Sequence, residues 1–375
     1  MGGLHYPVPT MAAGMKKRRL ARAVVGVAAL GGLMSACGSN SKRLTAPPIT
    51  EAPSTTASST TTPGSSPTTV SSGPVCPLTH LPAPNGKVPQ RPALAIKVEN
   101  LPQARPQYGL ASADVVYEEP VEGGITRFIA IYQCHDSSRV EPVRSGRIID
   151  PEIVNQYGAH PLFAYSGAIQ PAVNAIDSSP LVDVGVNRAP TGVYWRDPSR
   201  YAPHNLATST SKLYSFAATL HVAETPPAPT FTFGPMGAGW GPAASVHIGY
   251  TYSDLTWTWQ PSAGVYSRSY SDTGPATLGA GGQITASNVV VMHVVMYPSQ
   301  YVEDPTGIHE NLLTLTGSGP VQVLRNGAVI SGTWRRPSLS DLTTYVDGSG
   351  NPISLSPGIT WVELVPTTVA VNVAP

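Results

Sequence analysis

The sequence predicts an α/β N-terminal domain with short helices, followed by a mostly antiparallel β C-terminal domain built as a small barrel or sandwich. Three observations predict it. Short apolar runs of alternating character recur from residue 93 onward, and helix-like segments lie only among the first of them. The 375 residues include 36 glycines and 39 prolines, so elements are short and turns many. A Pro- and Gly-rich stretch after residue 224 separates the two patterns. With 41% hydrophobic residues, each of two domains can bury a core.

In chain order, residues 93–99 (ALAIKVE), 114–118 (DVVYE) and 127–133 (RFIAIYQ) read as buried strands, with one helical turn over 110–114. Residues 151–157 (PEIVNQY) open on Pro and Glu and place Ile153 four positions before Tyr157, which predicts a helix running to Gly158. A strand over 161–165 and a second short helix over 170–176 (QPAVNAI) complete a first domain, residues 76–224. Residues 225–243 form the connector. Strands then follow over 245–252, 255–260, 264–270, 289–297, 311–316, 320–325, 328–334 and 360–365, within a second domain at 244–366. Asn326-Gly327 between two of these strands is the strongest hairpin signal in the chain.

The N-terminal 37 residues read as an address. MKKRRLAR begins at Met15, the expected start, and leads into an uncharged run of 14 residues ending at Ala36. That run is short for a hydrocarbon core of ~30 Å, so a signal peptide is the better reading than a transmembrane helix. Leu33-Met34-Ser35-Ala36-Cys37 resembles the bacterial lipobox, with Met34 in the usual place of Leu, and marks Cys37 for diacylation. Two acyl chains give stable anchoring. The expected location is therefore the extracytoplasmic face of the bacterial cell membrane, with the membrane as a partner through the lipid on Cys37. Residues 38–75 read as a disordered spacer, because 22 of the 30 residues from 45 to 74 are Ser, Thr or Pro. In an oxidising compartment the remaining cysteines, Cys76 and Cys134, are expected to form a disulfide.

Charge narrows the partners. There are 23 basic and 22 acidic side chains, giving +1, so no long-range field favours nucleic acid. No Walker loop, G-x-G-x-x-G after a strand, G-x-S-x-G elbow or H-E-x-x-H occurs, and no cofactor or metal is expected. Gly237-Ala238-Gly239-Trp240-Gly241 imitates a glycine loop but falls in the connector.

Several blocks carry a family resemblance: residues 91–100 (RPALAIKVEN), 113–118 (ADVVYE), Thr126-Arg127-Phe128, 142–147 (PVRSGR), Pro203-His204-Asn205, Gly332-Thr333-Trp334 and 357–361 (PGITW). Together they resemble the DUF3048 proteins, bacterial envelope lipoproteins of the YerB type, from about residue 82 to 366. Gly146 departs from the small Ala-like residue of that pattern, and 163–167 (FAYSG) replaces a His-containing stretch. The resemblance implies location and architecture and says almost nothing of chemistry.

The candidate site comes from polar residues between predicted strands and helices. Arg144-Ser145-Gly146-Arg147 precedes the helix at Pro151, where backbone N–H groups and guanidinium groups can converge on an anion. Arg127, Arg144, Ser145, Arg147 and Asn205 are the candidate ligand-binding residues. His204 lies in a loop with no apolar periodicity, and with Glu118 or Asp150 it would make an acid–base pair. Trp257 and Trp259 share a strand face and serve either as a sugar platform or, in the favoured reading, as core. The leading expectation is a lipid-anchored envelope protein binding a cell-wall glycan, peptide or anionic polymer. An envelope hydrolase or transferase and a structural adaptor for another envelope protein are the rivals.

Overall fold

The computed structural model describes residues 73–303 and 306–375. The signal peptide, Cys37 and the spacer up to residue 72 lie outside the described residues. No helix among the described residues is long and apolar enough to cross a membrane.

An 11-stranded mixed sheet organises the molecule. Its centre is three strands from the first predicted domain: β1 (Leu94–Glu99), β2 (Val115–Pro120) and β3 (Thr126–Tyr132), every residue of which is buried. β3 pairs antiparallel with both β1 and β2. Beyond β1, β4 (Leu162–Ala164) and β5 (Val182–Asp183) add in parallel. Beyond β2 the sheet continues with strands from the second predicted domain: Thr360–Pro366 and Asn288–Val294, both parallel additions, then Gly317–Arg325, Ala328–Arg336 and Thr344–Val346, all antiparallel. The two stretches of chain thus share one sheet.

Each face of this sheet buries a different core, because successive residues of a strand point to opposite sides. On one face Val98, Val116 and Phe128 pack with Trp257, Tyr266 and Trp361 beneath a six-stranded second sheet, whose strands include Ser245–Ile248, Leu255–Gln260, Val265–Tyr270 and Val371–Ala374. Two open sheets face each other there, and no closed barrel forms among the described residues. On the other face Ala95, Tyr117 and Ile129 pack under α1 (Asp150–Val154), α2 (Gln170–Asp177) and the loops after them. Trp257 is fully buried, as the core reading of that strand expects.

The described residues include a further α-helix that the sequence reading left unassigned. α3 (Thr210–Thr219) is capped by Ser209, whose side chain accepts from the Lys212 backbone N–H, and it buries Leu213, Phe216 and Ala217. The predicted strand over 289–297 is in fact two. Asn288–Val294 stays in the main sheet, while Met296–Val302 leaves it to pair with His309–Leu313 as a separate hairpin. Asn326 and Gly327 both take positive φ, 52° and 71°, and close the Gly317–Arg325/Ala328–Arg336 hairpin with Arg325 opposite Ala328. Cys76 and Cys134 are joined in a disulfide with Cα atoms 5.9 Å apart.

Candidate functional site

The polar residues of β1, β2 and β3 gather at one end of the sheet, and strand parity sorts them into two groups. Lys97 and Glu99 of β1, Glu119 of β2 and Arg127 of β3 share the parity of Ala95, Tyr117 and Ile129, on the side of α1. Asn100 and Glu118 fall on the side of the second sheet.

On the α1 side, Lys97 is fully buried, and its Nζ lies 2.6 Å from Asp150 Oδ1 and against Glu119 Oε1. Asp150 is placed by its own helix start, where Oδ2 accepts the Arg147 backbone N–H at 2.7 Å. Burial, with the Asp150 charge behind it, pushes Glu119 up to about 8, although Lys97 pulls the other way. Glu119 Oε2 has no hydrogen-bond partner. One strand position further out, Glu99 holds two groups at once. Its Oε2 is 2.9 Å from His204 Nδ1, and its Oε1 is 3.3 Å from Arg144 Nε. The Glu99 side chain is 2% exposed, whereas those of His204 and Arg144 are 21% and 22% exposed, so the buried carboxylate presents an imidazole and a guanidinium to solvent.

The neighbouring arginines are already spoken for. Arg127 donates to the Ser145 carbonyl at 2.9 Å and lies 3.5 Å from Glu122; burial and the adjacent Arg147 pull it down to about 10. Arg147 donates to Glu122 Oε2 and the Gly146 carbonyl, and reaches Glu303 Oε1 at 2.9 Å. Glu303 follows the Met296–Val302 strand, and Glu310 of the partner strand accepts the Ile148 backbone N–H. Burial pushes Glu310 up to about 7. The hairpin therefore docks its acidic end on the Arg147 side of the site, while Val295, Met296, Tyr297, Tyr301, Val302 and Ile308 stay exposed.

Of the residues singled out in the sequence, Arg127, Arg144, Arg147, Asp150 and His204 come together, and Ser145 joins them through its backbone carbonyl. Asn205 does not reach outward. It accepts from Arg196 at 2.7 Å and donates to the Asp197 and Arg200 carbonyls at 3.1 Å each, stapling the loop that carries His204. Glu118 belongs to the other face. Its carboxylate takes Arg268 at 2.6 Å, Asn100 at 3.0 Å and Thr126 at 2.6 Å, and Arg268 also holds Glu363 at 3.0 Å, with all three ionic side chains fully buried. The carboxylate beside His204 is Glu99, and Asp150 is occupied by Lys97 and Arg147.

Sequence reasoning missed Lys97 and Glu99. Their signal was present: two charged residues sit at alternate positions of an otherwise apolar buried strand, and such charges stay buried only when paired. Among the described residues no group of three or more His, Cys, Asp or Glu is arranged to hold a metal ion.

Family comparison accounts for this arrangement of blocks. Residues 78–223 match the N-terminal domain, and residues 246–362 the C-terminal domain, of a protein of unknown function, DUF3048. The chain belongs to the DUF3048 family. It is 27% identical over 295 residues to a Bacillus subtilis (strain 168) protein named "Putative lipoprotein YerB", covering 77% of this chain and 85% of that one. The crystal structure of YerB from Bacillus subtilis superposes with a TM-score of 0.69 at 24% identity, over 80% of this chain and 99% of the other, which shows a shared fold.

Proposed function

We propose that this DUF3048 protein is lipid-anchored on the extracytoplasmic face of the membrane, and that its Arg144–His204 face binds an anionic, hydroxyl-bearing cell-wall polymer. The observation that carries the reading is Glu99, one buried carboxylate bonded to His204 and close to Arg144. A carboxylate only accepts, so His204 donates from Nδ1 and a neutral ring leaves Nε2 as an acceptor on its far side. Arg144 offers a guanidinium fork for phosphate or carboxylate, and His204 an acceptor for a neighbouring hydroxyl. The lipobox at Cys37 and the relative named as a lipoprotein support the anchor.

The same pair favours a second reading. A carboxylate-oriented imidazole with a free Nε2 is the arrangement of a general base, now with Glu99 in the role first assigned to Glu118 or Asp150. One experiment separates the readings. Purified muropeptides and anionic wall polymers are incubated with the full chain and with Arg144→Ala and His204→Ala. Retention of polymer, weakened about tenfold by either substitution, supports binding. Product formation lost with His204→Ala supports hydrolysis, and polymer binding indifferent to both substitutions removes the site.

A further inference from the structure

The Gly237-Ala238-Gly239-Trp240 segment borders a cleft of about 570 Å³, far along the sheet from Glu99 in strand order. Its lining includes the apolar Trp240, Ile330 and Ile353 together with the polar Asp347, Asn351 and Ser354. The volume falls in the range of sites for small ligands, and the lining is more polar than is usual for them.

The cleft is held open by its own construction. Arg325, which does not line it, donates from one nitrogen to the Gly234 carbonyl at 2.8 Å and the Ser354 carbonyl at 2.7 Å, fastening the two bordering segments together. The same guanidinium lies over the Trp240 ring, 5.9 Å from its centre. Across the cleft, Asp347 closes its turn by accepting the Ser349 and Asn351 backbone N–H groups at 2.8 and 2.9 Å on Oδ1. Those bonds hold its carboxyl below the usual range, so it stays an acceptor, and Oδ2 takes only the Asn351 amide at 3.2 Å. A Cβ built on Gly237 meets nothing within 4 Å, whereas one on Gly239 meets Ile330 Cδ1 at 3.7 Å.

We propose that this cleft binds a hexopyranose unit of an uncharged glycan. The lining contains no Lys, Arg or His, so it offers no cation for a phosphate or carboxylate. Its polar members are hydroxyls, an amide and a carboxylate, which together donate to and accept from sugar hydroxyls. Trp240 supplies an aromatic surface for the apolar C–H face of a pyranose ring. The claim is independent of the Arg144–His204 reading.

The test is saturation-transfer NMR on the full chain with four uncharged tetrasaccharides, built respectively of glucose, N-acetylglucosamine, mannose and galactose. At least one is expected to receive transfer with a millimolar Kd. Gly237→Leu, which adds bulk at the border of the cleft without backbone strain, and Trp240→Ala should each weaken it about tenfold, while His204→Ala leaves it unchanged. No transfer to any of the four overturns the proposal. So does undiminished binding by Gly237→Leu with an unchanged circular dichroism spectrum.

Discussion

Glu118 and Glu119 are consecutive residues of β2, and the sheet sends them to different environments. Glu118 is sealed against Arg268 and Glu363 between two sheets, with Trp257 Nε1 completing the group at 2.8 Å from Glu363. Glu119 is equally buried, but it abuts Lys97 and Asp150 on the face where Glu99, two residues along β1 from Lys97, pairs with the part-exposed His204 and Arg144. The sealed group bridges the two sheets, and Asn100 stands between Glu118 and the part-buried Arg105. On the other face, Glu99 pairs directly with two part-exposed groups. The difference teaches that a buried carboxylate marks a site when it pairs directly with groups that solvent reaches.

The largest expected effect belongs to the sealed group. Arg268→Met leaves Glu118 and Glu363 buried together without their cation and should cost about 3–5 kcal/mol, read from urea unfolding. A loss below about 1 kcal/mol would mean that the inter-sheet charges contribute little, and would break the contrast.

The open cluster should respond to pH instead. Glu119 is raised from 4.5 to about 8 by burial and by Asp150, so the folded chain keeps a proton there that the unfolded chain has released. Between those values stability must fall as pH rises. Glu310, pushed up to about 7, adds to the slope with the same sign. The urea midpoint should therefore drop from pH 5 to pH 8, and Glu119→Gln should flatten that drop; an unchanged slope would place the titration elsewhere.

Smaller effects belong to the rim. Glu99→Gln keeps the shape but removes the charge that holds Arg144 and His204, and polymer affinity should fall about tenfold in a retention assay. His204→Ala should change stability by less than about 1 kcal/mol, because the ring is part-exposed and belongs to a loop. A larger loss in thermal unfolding would make His204 a structural staple like its neighbour Asn205.

Much of the fold was legible because it rests on period-two apolar runs with turn residues between them, as in 255–260 and at the Asn326-Gly327 hairpin. The α3 helix was not. Its cap and apolar spacing follow directly on the loop of His204, and its moderate propensity is overridden by packing of Leu213 and Phe216 into the core. The split at Val295 was also invisible, since apolar residues continue across it while the pairing partner changes. At the site, the sequence named five residues that do converge, yet chose Glu118 over Glu99. Both are acidic residues of buried strands, and only the register between strands decides which face each one meets.

The central claim is that Glu99 and His204 act as one unit in binding. A double-mutant cycle of Glu99→Gln and His204→Ala, measured as affinity for purified anionic wall polymer, tests it directly. The account predicts a coupling of about 1 kcal/mol or more, with the double variant little weaker than either single one. Strictly additive losses, or full affinity in all three variants, would contradict it.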